Sequence, residues 1–285
     1  MEISVQGVTL RGQRWNRGAG QRAIALHGWL DNCASFAPMA GQMSAQLAGV
    51  DLVAFDGAGC GQSDFRSADS QYLIWFDVGD IIGIADQLGW HQFSLLGHSR
   101  GAAVCALCAG SFPERIAKLL LIDGLIPRPR EESAAPANLS AQILDTQRLV
   151  NSTGTAFASR EQAIDSRTRG VTQVAHRTAA TLARRGLREN ADGTYTWRID
   201  QRQKAASSLY LSPAQIAAFL QAIQSPTLFI EGERGIFNDY PQMRDYLQHI
   251  GNLTHQILPG GHHLHMEESA ADCARAVGEF LCAKV

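Results

Sequence analysis

No run of 18 apolar residues occurs anywhere in the 285-residue chain, so no segment reads as a membrane span. No secretory leader is expected either. Met1, Glu2, Ile3, Ser4 and Val5 supply neither a basic stretch nor an apolar one behind it. Cysteine is scarce: six scattered residues are too few for a disulfide framework and read as reduced core side chains. An excess of one charge is also lacking. Lys and Arg number 25 against 27 Asp and Glu, for a net charge of −2, which argues against a protein built to hold nucleic acid or an anionic membrane. What the chain does have is apolar residues, at 45%, enough to exclude disorder. The expectation is a soluble, cytoplasmic, globular protein. At this length one large core with an attachment, or two unequal domains, is expected.

Short apolar runs that end in turn residues alternate with helical patterns, as in βαβ units with a mostly parallel sheet. Ala23–Leu26 runs into His27 and Gly28, Asp51–Phe55 into Asp56 and Gly57, and Phe93–Leu96 into Gly97. Lys118–Ile122 runs into Asp123 and Gly124, Thr227–Ile230 into Glu231 and Gly232, and His255–Leu258 into Pro259 and Gly260. The polar tips of such strands form the edge where sites are built. Helical spacing covers Ser70–Leu88 and Ala270–Leu281, and Val5, Val8 and Leu10 with Gly7 and Gly12 predict an opening hairpin. The rhythm stops after Leu125. Pro127, Pro129 and Pro136 open a breaker-rich stretch, and helices are predicted over Ala141–Val150, Arg160–Arg167 and Thr172–Arg188, with almost no strand signal before Pro226. From Pro127 to Tyr210 there are 13 Lys and Arg against 8 Asp and Glu, a balance of +5, while the remainder carries −7. That reversal marks a separate, inserted unit.

Gly97-His98-Ser99-Arg100-Gly101 fits G-x-S-x-G between a buried strand and a helix rich in small residues. A serine hydroxyl is a weak nucleophile unless it is exposed beside a base and near oxyanion donors, and glycines permit the sharp turn that achieves this. With these residues in view the chain resembles the α/β-hydrolase family. His27 to Asp31 looks like the motif that ends the family's third strand. The loop from Asp56 to Asp64 is similar to its D-x-x-G-x-G-x-S loop. Pro113 to Asp123 resembles the approach to its sixth strand, and Gly261 to Glu267 its late G-H-x-x-x-x-E. Trp197 to Leu220 and the double histidine are similar to its serine hydrolase-like branch. The resemblance implies a mostly parallel eight-stranded sheet flanked by helices, with a helical cap after the sixth strand. Residues 1–126 and 211–285 then form the core and 127–210 the cap.

The base must reach Ser99 from another loop. His262 matches the family position, with His263 and His265 as rivals, while His27 and His98 read as structural. For the acid the chain departs from the pattern: Gly232-Glu233-Arg234-Gly235 puts glycine where the family usually has Asp. Asp123, ending the sixth strand, matches an alternative location, and Glu233, Glu231 and Asp239 stay open as acids. The resemblance places the oxyanion donors at the backbone N–H groups of Trp29 and Arg100. The Arg100 side chain reads as a partner of Asp31 or Asp77, or else of a substrate carboxylate. Cys105 and Cys108 lie one helical turn apart and read as core packing, and a zinc site at His262, His263 and His265 fits the turn less well than a hydrolytic base. No metal or organic cofactor is implied, and neither a P-loop nor a dinucleotide fingerprint is present. The expected function is hydrolysis of a small carboxylic ester through Ser99, His262 and Asp123. Carbon–carbon bond hydrolysis, amide hydrolysis and non-catalytic ligand binding are the alternatives.

Overall fold

The structure, a computed structural model, describes residues 1–42, 49–170, 172–207 and 210–283. Eight strands form its centre: β1 (Glu2–Val5), β2 (Val8–Trp15), β3 (Gln21–Leu26), β4 (Val50–Phe55), β5 (Phe93–His98), β6 (Ile116–Ile122), β7 (Thr227–Arg234) and β8 (Leu253–Gly261). Their spatial order is β1-β2-β4-β3-β5-β6-β7-β8. The predicted hairpin joins β1 to β2 through Gln6 and Gly7, both at positive φ as a tight two-residue turn requires. β2 also pairs antiparallel with β4, and every later pairing is parallel. The expected mostly parallel eight-stranded sheet is what forms.

Eight α-helices accompany it among the described residues: α1 (Ala37–Gln42), α2 (Ile74–Gln87), α3 (Arg100–Ser111), α4 (Ala135–Leu149), α5 (Arg160–Thr168), α6 (His176–Gly186), α7 (Pro213–Gln221) and α8 (Ala270–Cys282). Strand residues alternate between the faces of a sheet, and the two cores follow that period. Ile24, Val53, Leu95, Leu119 and Phe229 pack with α2, α3 and α7. Ala25, Leu52, Leu96, Leu120 and Ile230 pack with Met39 and with Val277 and Leu281 of α8. None of these helices is long and apolar enough to cross a membrane. All six cysteines are free and five are buried; Cys105 and Cys108 pack inside α3, where burial pushes the Cys108 thiol up to about 12.

The helices and the stretch between β6 and α7 depart from the sequence reading in three ways. α2 starts at Ile74, because residues 70–73 stay outside the helix and Leu73 is extended at its N-cap. α4 starts at Ala135, since Pro136 stands in its first turn, where its missing N–H costs nothing. The insertion is also not wholly helical: Ala156–Phe157, Tyr195–Trp197 and Leu187–Glu189 make a three-stranded antiparallel sheet. Its hairpin turns at Asn190–Thr194, with Gly193 at φ 79 and the Asp192 carboxylate accepting from the Thr194 N–H at 3.0 Å. Asp192-Gly193 is a hairpin signal that the flanking Ala- and Arg-rich helix masked.

Buried polar contacts fasten this insertion to the core. Arg185 of α6 donates from Nε to both oxygens of the fully buried Asp56, at 3.0 and 2.8 Å. Arg167 of α5 reaches Asp31 at 2.9 Å, and Asn32 donates to the Leu182 carbonyl at 3.0 Å. Breaking a buried pair strands the surviving charge. Arg185→Ala is expected to cost about 3 kcal/mol, since Asp56 keeps the N–H groups of Cys33 and Gln62 as donors. Thermal denaturation should show it as a Tm lower by roughly 10 °C; an unchanged Tm would mean that this pair does not fasten the insertion.

Candidate active site

Ser99, Asp123 and the turn after β7 stand at the adjacent C-terminal tips of β5, β6 and β7. Ser99 has φ 54 and ψ −118 between β5 and α3, a strained conformation for a non-glycine residue. The turn closes only with glycine on either side. A Cβ at Gly97 would lie 2.5 Å from the Ala102 backbone, and one at Gly101 2.2 Å from the Leu26 carbonyl oxygen. The sharp turn thus aims the serine hydroxyl away from the sheet.

His262 arrives from the turn after β8. Its Nε2 lies 2.9 Å from Ser99 Oγ, and its Nδ1 lies 2.7 Å from Asp123 Oδ2. Asp123 is fully buried at φ 41 and accepts two backbone donors. Gly232 N–H reaches Oδ1 at 3.0 Å and Ile236 N–H reaches Oδ2 at 2.9 Å. A carboxylate oxygen accepts here, so His262 Nδ1–H donates to Oδ2, which leaves the Nε2 lone pair facing the serine. The rival acids lie elsewhere. Glu233 is exposed beside Arg234, Asp239 is exposed, and Glu231 is buried but bound to Arg244 and His255. Gly235 now has a physical reason: a Cβ there would stand 2.1 Å from Asp123 Oδ1. The Asp123 carboxylate fills the space that a side chain from the β7 turn would need.

The remaining histidines form a buried stack behind His262. The His98 ring lies 4.8 Å from His262, 5.1 Å from His263 and 4.2 Å from His265. His98 Nε2–H donates to the His262 carbonyl at 2.8 Å, holding the loop that carries the ring. His27 ties two further loops together, with Nδ1–H donating to the Gly28 carbonyl and Nε2 accepting from Gly57 N–H. Burial drives His98 well below the usual imidazole range, and burial with the neighbouring rings holds His265 at about 3. Both are therefore neutral when folded at neutral pH but gain protons near pH 6.5 when unfolded. Stability contributed this way is present above pH 6.5 and is lost as pH falls. Roughly 2 kcal/mol should go for His265 by pH 5, and His98 acts in the same direction. Denaturant titrations of wild type and His265→Leu should diverge in slope over that range, and parallel pH profiles would contradict the argument.

Asp31 and Asp77, the two carboxylates open to Arg100, take different partners. Asp31 partners Arg167 and His263 rather than Arg100, at 2.9 and 3.3 Å. Burial raises its carboxyl, but the His263 hydrogen bond and the Arg167 charge outweigh this and hold it below the usual carboxylate range. Arg100 is paired with Asp77 at 2.5 Å, while its N–H, in the first turn of α3, has no acceptor among the described residues. The Trp29 N–H is equally unbonded among them, and its indole N–H donates to the Gln203 carbonyl at 3.1 Å.

For a metal ion the residues fit poorly. Asp31, His98 and His263 each offer an atom within 4.8 Å of the others. The Arg167 guanidinium already sits 3.4 Å from His263 Nε2, where a cation would have to compete with it. Glu161, Asp165 and His176 make a second group, but on the surface of the insertion. His262 and His265 join neither group, so the three late histidines do not make a common ligand set among the described residues.

Beside Ser99 and His262 lies an open cavity of about 550 Å³, lined by the strand tips and by residues of the segment between β6 and α7. Leu125, Ile126, Phe237 and Met243 line one side of it, and Trp29 and Arg100 also face it.

Comparison with known proteins agrees with this architecture. A family described as the alpha/beta hydrolase fold matches residues 24–269. A serine hydrolase-like protein of Dictyostelium discoideum is 26% identical over 95% of this chain and 79% of its own. A probable serine hydrolase of Drosophila melanogaster is 28% identical over 93% and 82%. A hypothetical protein of Pseudomonas aeruginosa PAO1, of known crystal structure, is 38% identical over 99% of both chains with a TM-score of 0.92. The thioesterase domain of the curacin biosynthetic pathway shares the fold, with a TM-score of 0.81 at 22% identity over 99% of this chain and 98% of that one. With its nucleophile turn, sheet order and relatives in agreement, the chain is a member of the α/β-hydrolase fold family, a serine hydrolase of the serine hydrolase-like branch.

Proposed function

We propose that the protein hydrolyses carboxylic esters through an acyl-enzyme on Ser99. The observation that carries this is the continuous chain of contacts from Ser99 Oγ through both His262 ring nitrogens to Asp123, at 2.9 and 2.7 Å. His262 Nε2 takes the hydroxyl proton as Oγ attacks the ester carbonyl carbon. The carbonyl oxygen becomes an oxyanion, which the otherwise unbonded N–H groups of Trp29 and Arg100 stabilise. As the tetrahedral intermediate collapses, the C–O bond to the leaving group breaks and His262 Nε2–H protonates the departing alkoxide. Water, deprotonated by the same nitrogen, then attacks the acyl carbon, and Oγ leaves with its proton restored. Acid and alcohol are the products. Asp123 keeps its charge throughout and fixes the histidine tautomer.

A panel of p-nitrophenyl esters of graded acyl length tests this, with amides and a diketone alongside. Turnover of esters that disappears in Ser99→Ala is expected. Ester turnover surviving that substitution, or turnover of the diketone alone, would overturn the reading.

A further inference from the structure

The charges around the cavity are unevenly satisfied. Five side chains of fixed charge line it: Asp31, Arg100, Asp123, Arg128 and Arg130. Arg167 and His263 neutralise Asp31, Asp77 neutralises Arg100, and Asp123 is held by His262 and two amides. Arg128 and Arg130 have no ion partner among the described residues, and both are exposed. Among the described residues, neither Glu131 and Glu132, the carboxylates next to them in the chain, nor Asp239, beside Tyr240, pairs with either. The two arginines are set at i and i+2 in the irregular segment after β6, so that in extended chain they project to one side.

Each guanidinium is also oriented. Arg128 Cζ lies 4.6 Å from the Tyr240 ring centre and Arg130 Cζ 5.1 Å from that of Tyr210, and both rings line the same cavity. Stacking fixes the guanidinium plane while leaving its edge N–H donors free for a planar or tetrahedral anion. Lysine, a point charge, would not be held this way.

We infer that Arg128 and Arg130 form a recognition site for a carboxylate or phosphate on the ester, in the part remote from the scissile carbonyl. This rests on the hydrolytic reading of Ser99 and names its substrate class. The apolar wall of Leu125, Ile126, Phe237 and Met243 takes the carbon chain between the two ends. The two arginines also give the +5 of residues 127–210 a local use, at the cavity rather than spread over the surface.

The test compares the p-nitrophenyl monoester of glutaric acid with p-nitrophenyl pentanoate, an uncharged ester of equal acyl length. A second arm compares 2-(phosphonooxy)ethyl acetate with 2-hydroxyethyl acetate, placing the anion on the alcohol leaving group instead. The anionic member of at least one pair is expected to show the higher kcat/KM, and the arm that shows it identifies which side carries the anion. In Arg128→Ala and Arg130→Ala that preference should fall about five- to tenfold each, mainly through KM, with Arg→Lys recovering only part. Equal rates within both pairs, or a preference untouched in the double variant, would overturn the inference while leaving the esterase reading intact. Should no ester turn over, the esterase reading fails separately, and calorimetric binding of glutarate to Ser99→Ala protein, with and without the arginines, still decides. Glutarate binding that the double variant weakens at least tenfold supports the site, and binding that is absent or unchanged removes it.

Discussion

Ser99→Ala should lower kcat by about 10⁶ and abolish labelling by a fluorophosphonate, with the fold unchanged. The magnitude follows from removing the group proposed to bond to the acyl carbon; loss of the serine in a well-studied protease costs that order. Among the described residues the side chain makes a single hydrogen bond, to His262 Nε2, so little stability is lost with it. Backbone strain makes the prediction sharper. Ser99 sits at φ 54 and ψ −118, where any Cβ is unfavourable and glycine is not. Ser99→Gly should therefore be as inactive as Ser99→Ala and yet unfold at a higher temperature. That pairing of lost activity with gained stability is expected where strain serves to present a nucleophile. Denaturation curves and active-site labelling of the two variants check it. Labelling that persists in either one would remove Ser99 from its role.

What the sequence made legible was local. Strand runs that end in glycine and polar residues form β3 to β7, because burial on both faces of a parallel sheet demands near-continuous apolar stretches, and β8 follows them as a mostly exposed edge strand. The G-x-S-x-G turn was equally readable, since its glycines answer to backbone clashes within a few residues. Less legible was whatever joins distant parts of the chain. Arg167 meets Asp31 across 136 positions and Arg185 meets Asp56 across 129; composition gives only that the insertion is basic, not which carboxylates its arginines seek. The short strands at Leu187–Glu189 and Tyr195–Trp197 were missed because three residues cannot display a period of two against a neighbouring helical pattern. Gly235 lay between these cases. Its identity was plain and its meaning was not, until the Asp123 carboxylate was found in the space beside it.

The second large effect follows from that shared space. Asp123→Asn should lower kcat/KM by about 10⁴, the loss seen when a triad acid becomes an amide and the histidine adopts the wrong tautomer. Three donors converge on this carboxylate: Gly232 N–H on one oxygen, Ile236 N–H and His262 Nδ1–H on the other. An amide can accept only through its oxygen, so either Gly232 or the other two donors must face an NH₂ group. Stability should fall by about 1–3 kcal/mol as well, for a buried donor left unpaired. Gly235→Asp ought to lower both stability and activity, because a Cβ at this buried turn position would overlap Asp123 Oδ1 at 2.1 Å. Removing one carboxylate makes room for the other. Asp123→Gly, which accepts φ 41 without strain, combined with Gly235→Asp should recover at least tenfold in kcat/KM over Asp123→Gly alone. The two substitutions must then be strongly non-additive in a double-mutant cycle. Independent, additive losses would mean that the two positions do not compete for one acid site, and that Gly235 is glycine for some reason other than the carboxylate beside it.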